Sequence, residues 1–93
     1  MPFRNSDWYD FWDTHWREVG AVYRIFTHAG VLLYIGQTGN LKQRMDDHRR
    51  NRGHCMHRSG ARWVVVEVIQ DESHRLARER QLINELDPPC NKV

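Results

Sequence analysis

Two short runs of β-branched and aromatic residues, separated by four turn-forming residues, constrain the fold of this chain most. The runs cover residues 21–26 and 31–36, with the turn at 27–30. This spacing predicts an antiparallel hairpin. If 27–30 form the loop, the strand register places Tyr23 directly opposite Tyr34, so both rings are expected on one face of a sheet.

The segments that follow complete a strand-strand-helix-strand-helix order. A helix is predicted over 41–50 with Asn40 as its N-cap, a buried strand over 63–69, and a last helix that ends at Leu86. A loop rich in glycine and histidine separates the first helix from the third strand. The predicted fold class is α/β, of the α+β kind: a small three-stranded antiparallel sheet flanked by helices.

An extra aromatic helix is predicted at the amino terminus, over residues 6–19. Trp8, Trp12 and Trp16 recur at every fourth position, which places them on one side of a helix. Three tryptophans at this spacing in a small domain favour a core or dimer seam over a surface for stacking bases, which stays the alternative.

The length of 93 residues limits the number of domains, because it suffices for one domain with a modest core. Residues 1–93 are therefore predicted to form a single domain, as a monomer or a weak homodimer. No apolar run is long enough to cross a bilayer, and the first residues lack a secretory signal, so we expect a cytoplasmic protein without a membrane partner. Cys55 and Cys90 are too few for a disulfide framework and are expected to be reduced.

Positive charge is concentrated between residues 41 and 62. Seven cations against Asp46 and Asp47 give this segment a charge of +5. The cations are Lys42, Arg44, Arg49, Arg50, Arg52, Arg58 and Arg62. Arginine suits bidentate phosphate contacts, so the segment predicts a nucleic-acid partner, with DNA expected. The alternative is a solvated helix face and loop.

Glu79 is a carboxylate in an otherwise apolar stripe of the last predicted helix. The stripe consists of Leu76, Leu82, Ile83 and Leu86. Because burying a lone carboxylate is costly, a compensating group is expected. A metal ion and a buried arginine such as Arg75 are both open possibilities.

Arg44 and His48 lie four residues apart on the helix over 41–50, so they are neighbours on one face. A cation beside a titratable ring suits an anionic phosphate near a proton-transfer group, although such a pair on a basic helix is often incidental.

A weaker metal alternative uses histidine and cysteine ligands. The candidates are His48, His54, Cys55, His57, His74 and Cys90. Their irregular spacing disfavours structural zinc. His54 or His57 could instead enter the site as a further proton-transfer group.

Five short motifs, in order, resemble those of the GIY-YIG nuclease superfamily. They are Ala21-Val22-Tyr23, then Tyr34-Ile35-Gly36, then Thr38, Leu41, Arg44 and His48, then Glu79, Leu82 and Ile83, then Pro88 and Asn91. The match spans roughly residues 20–91 on a compatible order of strands and helices. The resemblance implies a metal-dependent endonuclease that hydrolyses DNA phosphodiester bonds.

The resemblance also implies roles for four residues in proton transfer and phosphate binding. Tyr23 or Tyr34 would deprotonate the attacking water, and we favour Tyr23. Arg44 matches the arginine that holds the scissile phosphate. His48 matches a position occupied by histidine in the homing and restriction branches and by tyrosine in the excision-repair branch.

Two further residues complete the site that the resemblance implies. Glu79 matches the single metal ligand, for Mg²⁺ with Mn²⁺ as a substitute. Asn91 matches a carboxy-terminal asparagine that supports the site.

The chain departs from the family pattern at two places. Ala21-Val22 replaces glycine-isoleucine, which keeps strand character, and Gln37 stands where the repair branch has lysine. Gln37 and His48 favour the homing and restriction branch over the repair branch.

Two other function classes compete with the nuclease. One is a nucleic-acid-binding module without turnover, and the other is a dimerisation module that uses the tryptophan helix. The nuclease is favoured because a pure binder needs neither a carboxylate in an apolar stripe nor two tyrosines on one face.

Overall fold

The computed structural model describes residues 8–91, in which a four-stranded antiparallel sheet carries helices on both faces. The strands are β1 (Trp8–Asp10), β2 (Ala21–Thr27), β3 (Leu32–Thr38) and β4 (Ala61–Val68), and the helices are α1 (Leu41–Arg50), α2 (Cys55–Arg58) and α3 (Glu72–Leu86), followed by a 3₁₀ turn (Pro89–Asn91). The strand order β1-β4-β2-β3 makes β3 an edge strand. The predicted fold class is confirmed, with one strand more than expected. No helix between residues 8 and 91 is long and apolar enough to cross a bilayer.

The predicted amino-terminal helix over 6–19 is wrong for the part that the structure describes, and positions 6 and 7 lie outside it. Residues 8–10 pair with β4 as an edge strand, and residues 11–19 contain no helix. The carboxylate of Asp10 accepts the backbone N–H of Trp12 at 2.8 Å, and that of Asp13 accepts the N–H of His15 at 2.8 Å. These local turns and the free edge of β4 therefore override the helical periodicity.

The three tryptophans consequently have different environments. Trp16 is 5% exposed and belongs to the core, as predicted, whereas Trp8 is 50% and Trp12 45% exposed. Phe11 is fully buried instead and packs in the same core cluster as Trp16.

The predicted hairpin is present, but its register is wrong by two residues. Tyr23 lies opposite Gly36, and Tyr34 lies opposite Ile25. One residue of the shift arises at the turn, because Phe26 pairs with Leu32 and not with Val31; the other arises from a bulge in β3, where Leu33 is an extra residue beside β2. Because side chains alternate along a strand, a shift of two keeps Tyr23 and Tyr34 on the same face.

The predicted helix over 41–50 is confirmed as α1. The side chain of Asn40 caps it by accepting the backbone N–H of Gln43 at 3.1 Å. Leu41, Met45 and His48 are buried, which fixes the face that α1 presents to the sheet.

Each sheet face has its own apolar cluster. The face that carries Tyr23 is covered by α1, α2 and the segment 11–19; its cluster includes Phe11, Trp16, Tyr23, Ile25, Leu41, Met45, Met56, Val64 and Val66. The opposite face packs against α3 through Val22, Ile35 and Leu82. The site described below is formed where α1, α3 and the edge strand β3 meet.

Alanine substitutions separate the core tryptophan from the exposed one. Trp16→Ala should lower the free energy of unfolding by roughly 3–5 kcal/mol, because it removes a fully packed ring. Trp12→Ala should lower it by roughly 1–2 kcal/mol, because nearly half of that ring contacts water already. Urea unfolding of both variants measures the difference, and equal losses would contradict the placement of these rings.

Candidate active site

Tyr23 lies flat against the one residue of β3 that has no side chain. Tyr23 is fully buried and pairs with Gly36 across the β2–β3 ladder. A Cβ atom built at Gly36 would lie 2.5 Å from Cζ of Tyr23, closer than carbon atoms approach without strain. The glycine that follows Tyr34-Ile35 is thus required by the position of the Tyr23 ring.

The helix α1 brings His48 onto the Tyr23 hydroxyl. The Oη atom of Tyr23 lies 2.7 Å from Nε2 of His48, and His48 is 8% exposed. Burial raises the pKa of Tyr23 above its usual range, and the neighbouring Tyr34 raises it further. Burial lowers the pKa of His48 to about 4, and the charge of Arg44 adds to this effect. Both groups are therefore neutral at pH 7, so the hydroxyl of Tyr23 donates to Nε2 when Nδ1 carries the imidazole proton.

Tyr34 stands beside this pair and is partly exposed. Its ring centroid lies 6.2 Å from that of Tyr23, 5.5 Å from that of His48 and 5.4 Å from that of His54. Burial raises the pKa of Tyr34, and the charge of Arg44 opposes the rise. Of the two tyrosines, Tyr34 is the one that solvent reaches.

Arg44 supplies the positive charge of the site. It lowers the pKa of Tyr23, Tyr34 and Glu79 and also that of His48, so one guanidinium acts on all four groups. Arg44 also lines a surface groove with Thr38, Gly39, Asn40, Gln43 and Asp47. A partly buried arginine at the wall of an open groove suits a phosphate group.

Glu79 is half-buried on α3 and faces the edge of β3. Burial raises its pKa, while the backbone N–H of Gln37, which donates to the carboxylate, and the charges of Arg44 and Arg80 oppose that rise. The predicted apolar stripe around it is only partly correct, since Leu76 and Leu86 are 40% and 46% exposed. Glu79 therefore remains accessible to a ligand.

Arg75 does not neutralise Glu79. Arg75 is buried, and its guanidinium donates to the carbonyl oxygens of Gln70 at 2.7 Å and Ile69 at 3.3 Å and to Oε1 of Gln37 at 3.2 Å. These bonds fix the start of α3 against β3. No ion pair joins Arg75 to Glu79 in the part of the chain that the structure describes, so the alternative of a structural Arg75–Glu79 pair is wrong.

Asn91 supports β3 from outside the sheet. Its Oδ1 accepts the N–H of Ile35 at 2.7 Å, and its Nδ2 donates to the carbonyl oxygen of Ile35 at 2.7 Å. Ile35 lies between Tyr34 and Gly36, so this side chain extends the ladder at the catalytic strand.

Cys55 and Cys90 form a disulfide, so the prediction of reduced thiols is wrong. The two residues are 35 positions apart, and only the fold brings α2 to the 3₁₀ turn. Neither sulfur is then available as a zinc ligand. Among residues 8–91 the structure contains no group of three or more histidine, cysteine or acidic residues placed to hold a metal.

Two histidines outside the predicted site border it. His54 caps α2 through Nδ1, which accepts the N–H of Met56 at 3.2 Å, and its ring centroid lies 6.1 Å from that of His48. The Nε2–H group of His57 donates to the backbone carbonyl oxygen of His48. Sequence reasoning raised both only as alternatives, because a loop without periodicity does not show which way its side chains point.

The predicted nucleic-acid contacts divide into three groups. Arg44 lines the site, and Arg52 and Arg58 are exposed. The others pair with nearby acids: Lys42 and Arg49 with Asp46, Arg50 with Asp47, and Arg62 with Asp10. Exposed pairs of this kind are weak and can exchange for phosphate. Arg49 differs, because it is 14% exposed and donates to the carbonyl oxygen of Asp13 at 2.8 Å, which ties α1 to the amino-terminal segment.

Three comparisons with known proteins indicate the same family for this chain. Residues 19–92 match the family described as the GIY-YIG catalytic domain. The UvrABC system protein C of Pseudomonas syringae pv. tomato is 36% identical over 75 residues, which are 76% of this chain and 12% of that protein. The UvrABC system protein C of Rhodopseudomonas palustris is 38% identical over 75 residues, 76% of this chain and 11% of that protein. The chain thus spans about an eighth of the length of these curated relatives.

Solved structures show the same fold. The GIY-YIG N-terminal endonuclease domain of UvrC from Thermotoga maritima, as a tyrosine-to-phenylalanine mutant bound to its catalytic divalent cation, is similar with a TM-score of 0.74 and 26% identity, over 86% of this chain and 90% of that one. An asparagine-to-alanine mutant of the same domain has a TM-score of 0.72 and 23% identity, over 82% of this chain and 86% of that one.

These relatives correct the predicted branch. They are excision-repair proteins, and not the homing or restriction enzymes that His48 and Gln37 favoured. The prediction relied on two positions, whereas the similarity extends over 75 residues.

The depressed pKa of His48 predicts a pH dependence of stability. The pKa of an exposed histidine is about 6.5 and that of His48 is about 4, so between these values the unfolded chain binds more protons than the folded one. The free energy of unfolding should fall by up to about 3 kcal/mol as the pH falls from 6.5 to 4, at about 1.4 kcal/mol per pH unit.

Urea unfolding of the parent and of His48→Gln between pH 7 and 4.5 measures this dependence. The variant should lose that part of the slope, whatever its stability at pH 7. His28→Gln, at an exposed turn residue, is the matched control and should keep the slope of the parent. Identical slopes in the parent and in His48→Gln would contradict the depressed pKa.

Proposed function

The chain belongs to the GIY-YIG catalytic domain family, and on that premise we propose that it is a metal-dependent endonuclease that hydrolyses DNA phosphodiester bonds. One observation carries the proposal. A neutral, hydrogen-bonded pair, Tyr23 and His48, lies within the field of the cation Arg44 and the carboxylate Glu79. A proton acceptor, a phosphate-binding cation and a metal ligand are the groups that hydrolysis of a phosphodiester requires.

The donor at Glu79 suits a divalent cation. The carboxylate is half-buried, and the backbone N–H of Gln37 favours its charged form, so its oxygen atoms can bind a cation. Mg²⁺ prefers oxygen ligands and retains several waters, so one carboxylate and phosphate oxygens of the substrate are sufficient. Mn²⁺ has similar ligand preferences. The related UvrC domain is bound to a catalytic divalent cation, which supports this assignment. When bound, such an ion would stabilise negative charge on the phosphate and favour ionisation of water.

Tyr23 is the group that accepts the proton of the attacking water. Burial disfavours its phenolate, so Tyr23 reacts as a neutral hydroxyl that passes its own proton to Nε2 of His48 while receiving one from water. The depressed pKa of His48 keeps that nitrogen free at neutral pH. Tyr23 has no exposed surface in the free protein, so this step requires a rearrangement that admits water to its hydroxyl.

Arg44 holds the scissile phosphate from the groove beside α1. Its guanidinium can donate two parallel hydrogen bonds to phosphate oxygens, and its charge opposes the extra negative charge that develops as water attacks. Asn91 acts indirectly, because its two hydrogen bonds to Ile35 hold the strand on which Tyr34 and Gly36 lie.

We propose a cytoplasmic location, which fits a DNA substrate. In that reducing compartment the Cys55–Cys90 disulfide is subject to reduction. The bonds between Asn91 and Ile35 do not include either sulfur, so they can persist in the dithiol form.

Glu79→Gln separates catalysis from folding and binding. The amide can still accept the N–H of Gln37, and it removes a charge that burial disfavours, so the melting temperature should equal or exceed that of the parent. Binding to DNA should persist, while nicking of supercoiled plasmid with Mg²⁺ should fall at least about 100-fold because the metal ligand is lost. Mn²⁺ should restore little of the activity.

Glu85→Gln is the matched control, since Glu85 is an exposed carboxylate on the same helix. It should keep the parent activity. A Glu79→Gln variant that nicks plasmid at the rate of the parent would contradict the assignment of Glu79 as the metal ligand. A parent that binds DNA and cuts none with either metal would favour a binding module instead.

A further inference from the structure

Trp12 is an exposed aromatic ring that the proposed chemistry does not use. It belongs to the segment 8–18, which precedes the part of the chain that matches the GIY-YIG family. Its neighbours in that segment, Phe11 and Trp16, are buried, whereas Trp12 is 45% exposed. Core packing therefore does not account for the exposed part of the Trp12 ring.

The backbone around Trp12 is firmly held. The N–H of Trp12 donates to Oδ1 of Asp10 at 2.8 Å, and the N–H of Phe11 donates to the carbonyl oxygen of Arg62 at 2.8 Å. On the other side, Arg49 donates to the carbonyl oxygen of Asp13 at 2.8 Å. The ring is therefore held on a fixed turn. Little conformational entropy of this segment is lost when a partner packs on the ring.

One cationic side chain and one imidazole lie beside the ring. The guanidinium carbon of Arg52 lies 5.9 Å from the ring centroid of Trp12, and the ring of His57 lies 5.6 Å away at an angle of 60°. The nearby acids are already engaged: Asp10 with Arg62 and with the N–H of Trp12, and Asp13 with His15. An aromatic face beside a free arginine is complementary to a base and its phosphate.

His57 links Trp12 to the candidate active site. His57, which contacts the ring of Trp12, donates through Nε2 to the backbone carbonyl oxygen of His48. His48 in turn contacts Tyr23 at 2.7 Å. Trp12 is thus separated from the proton-accepting pair by a single side chain.

We propose that Trp12 and Arg52 form a stacking subsite for an unpaired base of the DNA substrate, next to the site of cleavage. The proposal rests on the proposed nuclease function and adds the substrate class: DNA with an unpaired nucleotide. The Trp12 ring stacks on the base, and Arg52 contacts the adjoining phosphate. A base inside a duplex is already stacked on its neighbours, so this subsite selects DNA with unpaired bases.

A dimer seam fits the surface less well. The other exposed tryptophan, Trp8, packs against Phe26 at 4.5 Å on the sheet face opposite Tyr23. Trp8 and Trp12 therefore do not form one apolar patch, and a second copy would bring its Arg52 against the Arg52 beside Trp12. A like-charged copy of the same surface would be repelled.

Binding measurements on three probes test the proposal without requiring cleavage. The probes are a fluorescein-labelled duplex, the same duplex with a central unpaired loop, and one of its strands alone, each with Ca²⁺ in place of Mg²⁺. Trp12→Ala should raise the Kd for both probes with unpaired bases about 5- to 100-fold, the range expected for loss of one stacked base. Its Kd for the paired duplex should stay within twofold of the parent.

Two further variants make the result specific. Trp12→Phe retains a ring and should restore most of the affinity for the looped probe. Trp8→Ala removes an equally exposed tryptophan from the opposite face and should change no Kd. Equal weakening of all three probes by Trp12→Ala, no weakening of any, or the same selective loss in Trp8→Ala would overturn the proposal. So would a dimeric parent, in sedimentation, that Trp12→Ala converts to a monomer.

Plasmid nicking with Mg²⁺ separates this proposal from the one on which it rests. If the parent nicks plasmid and Trp12→Ala binds every probe as the parent does, the stacking subsite fails and the nuclease stands. If Trp12→Ala shows the selective loss while the parent cuts no DNA, the subsite stands as a binding feature and the nuclease fails.

Discussion

The position of the Tyr23 ring constrains the rest of this site. The ring occupies space that any residue other than glycine would fill at position 36, and its hydroxyl meets Nε2 of His48 at 2.7 Å. This one contact joins β2, β3 and α1. It also sets the chemistry, because burial keeps both partners neutral before the reaction; in the proposed relay Tyr23 passes its proton to His48 and takes one from water, so the charge that forms is the His48 imidazolium. Arg44, one turn away on α1, provides the charge that the pair lacks.

The outer edge of β3 accounts for two further polar groups of the site, Asn91 and Glu79. An edge strand exposes unpaired backbone groups, and here they are met by side chains rather than by another strand. Asn91 takes both groups of Ile35, and Glu79 accepts the N–H of Gln37. The same bonds that complete the edge therefore hold a carboxylate beside Tyr34. Structure and chemistry share these residues, so a substitution at either one has to be tested for folding as well as for activity.

Sequence reasoning predicted the local features and missed those that depend on distant contacts. Asn40 as the cap of α1 and the order of strands and helices follow from short-range patterns. The register was wrong by two because a loop-length argument detects neither the pairing of Phe26 with Leu32 nor the bulge at Leu33. The segment 8–19 was taken for a helix, since periodicity does not reveal the free edge of β4. The disulfide between Cys55 and Cys90 joins residues that only the fold brings together.

The most direct test of the central claim is the pH dependence of cleavage in single turnover, with saturating protein and Mg²⁺ between pH 6 and 9. If neutral Tyr23 transfers a proton to neutral His48, the reactive forms are present throughout this range, and the rate should vary by no more than about twofold. If cleavage requires the Tyr23 phenolate, the rate should rise about tenfold per pH unit across the same range, and that result would contradict the account.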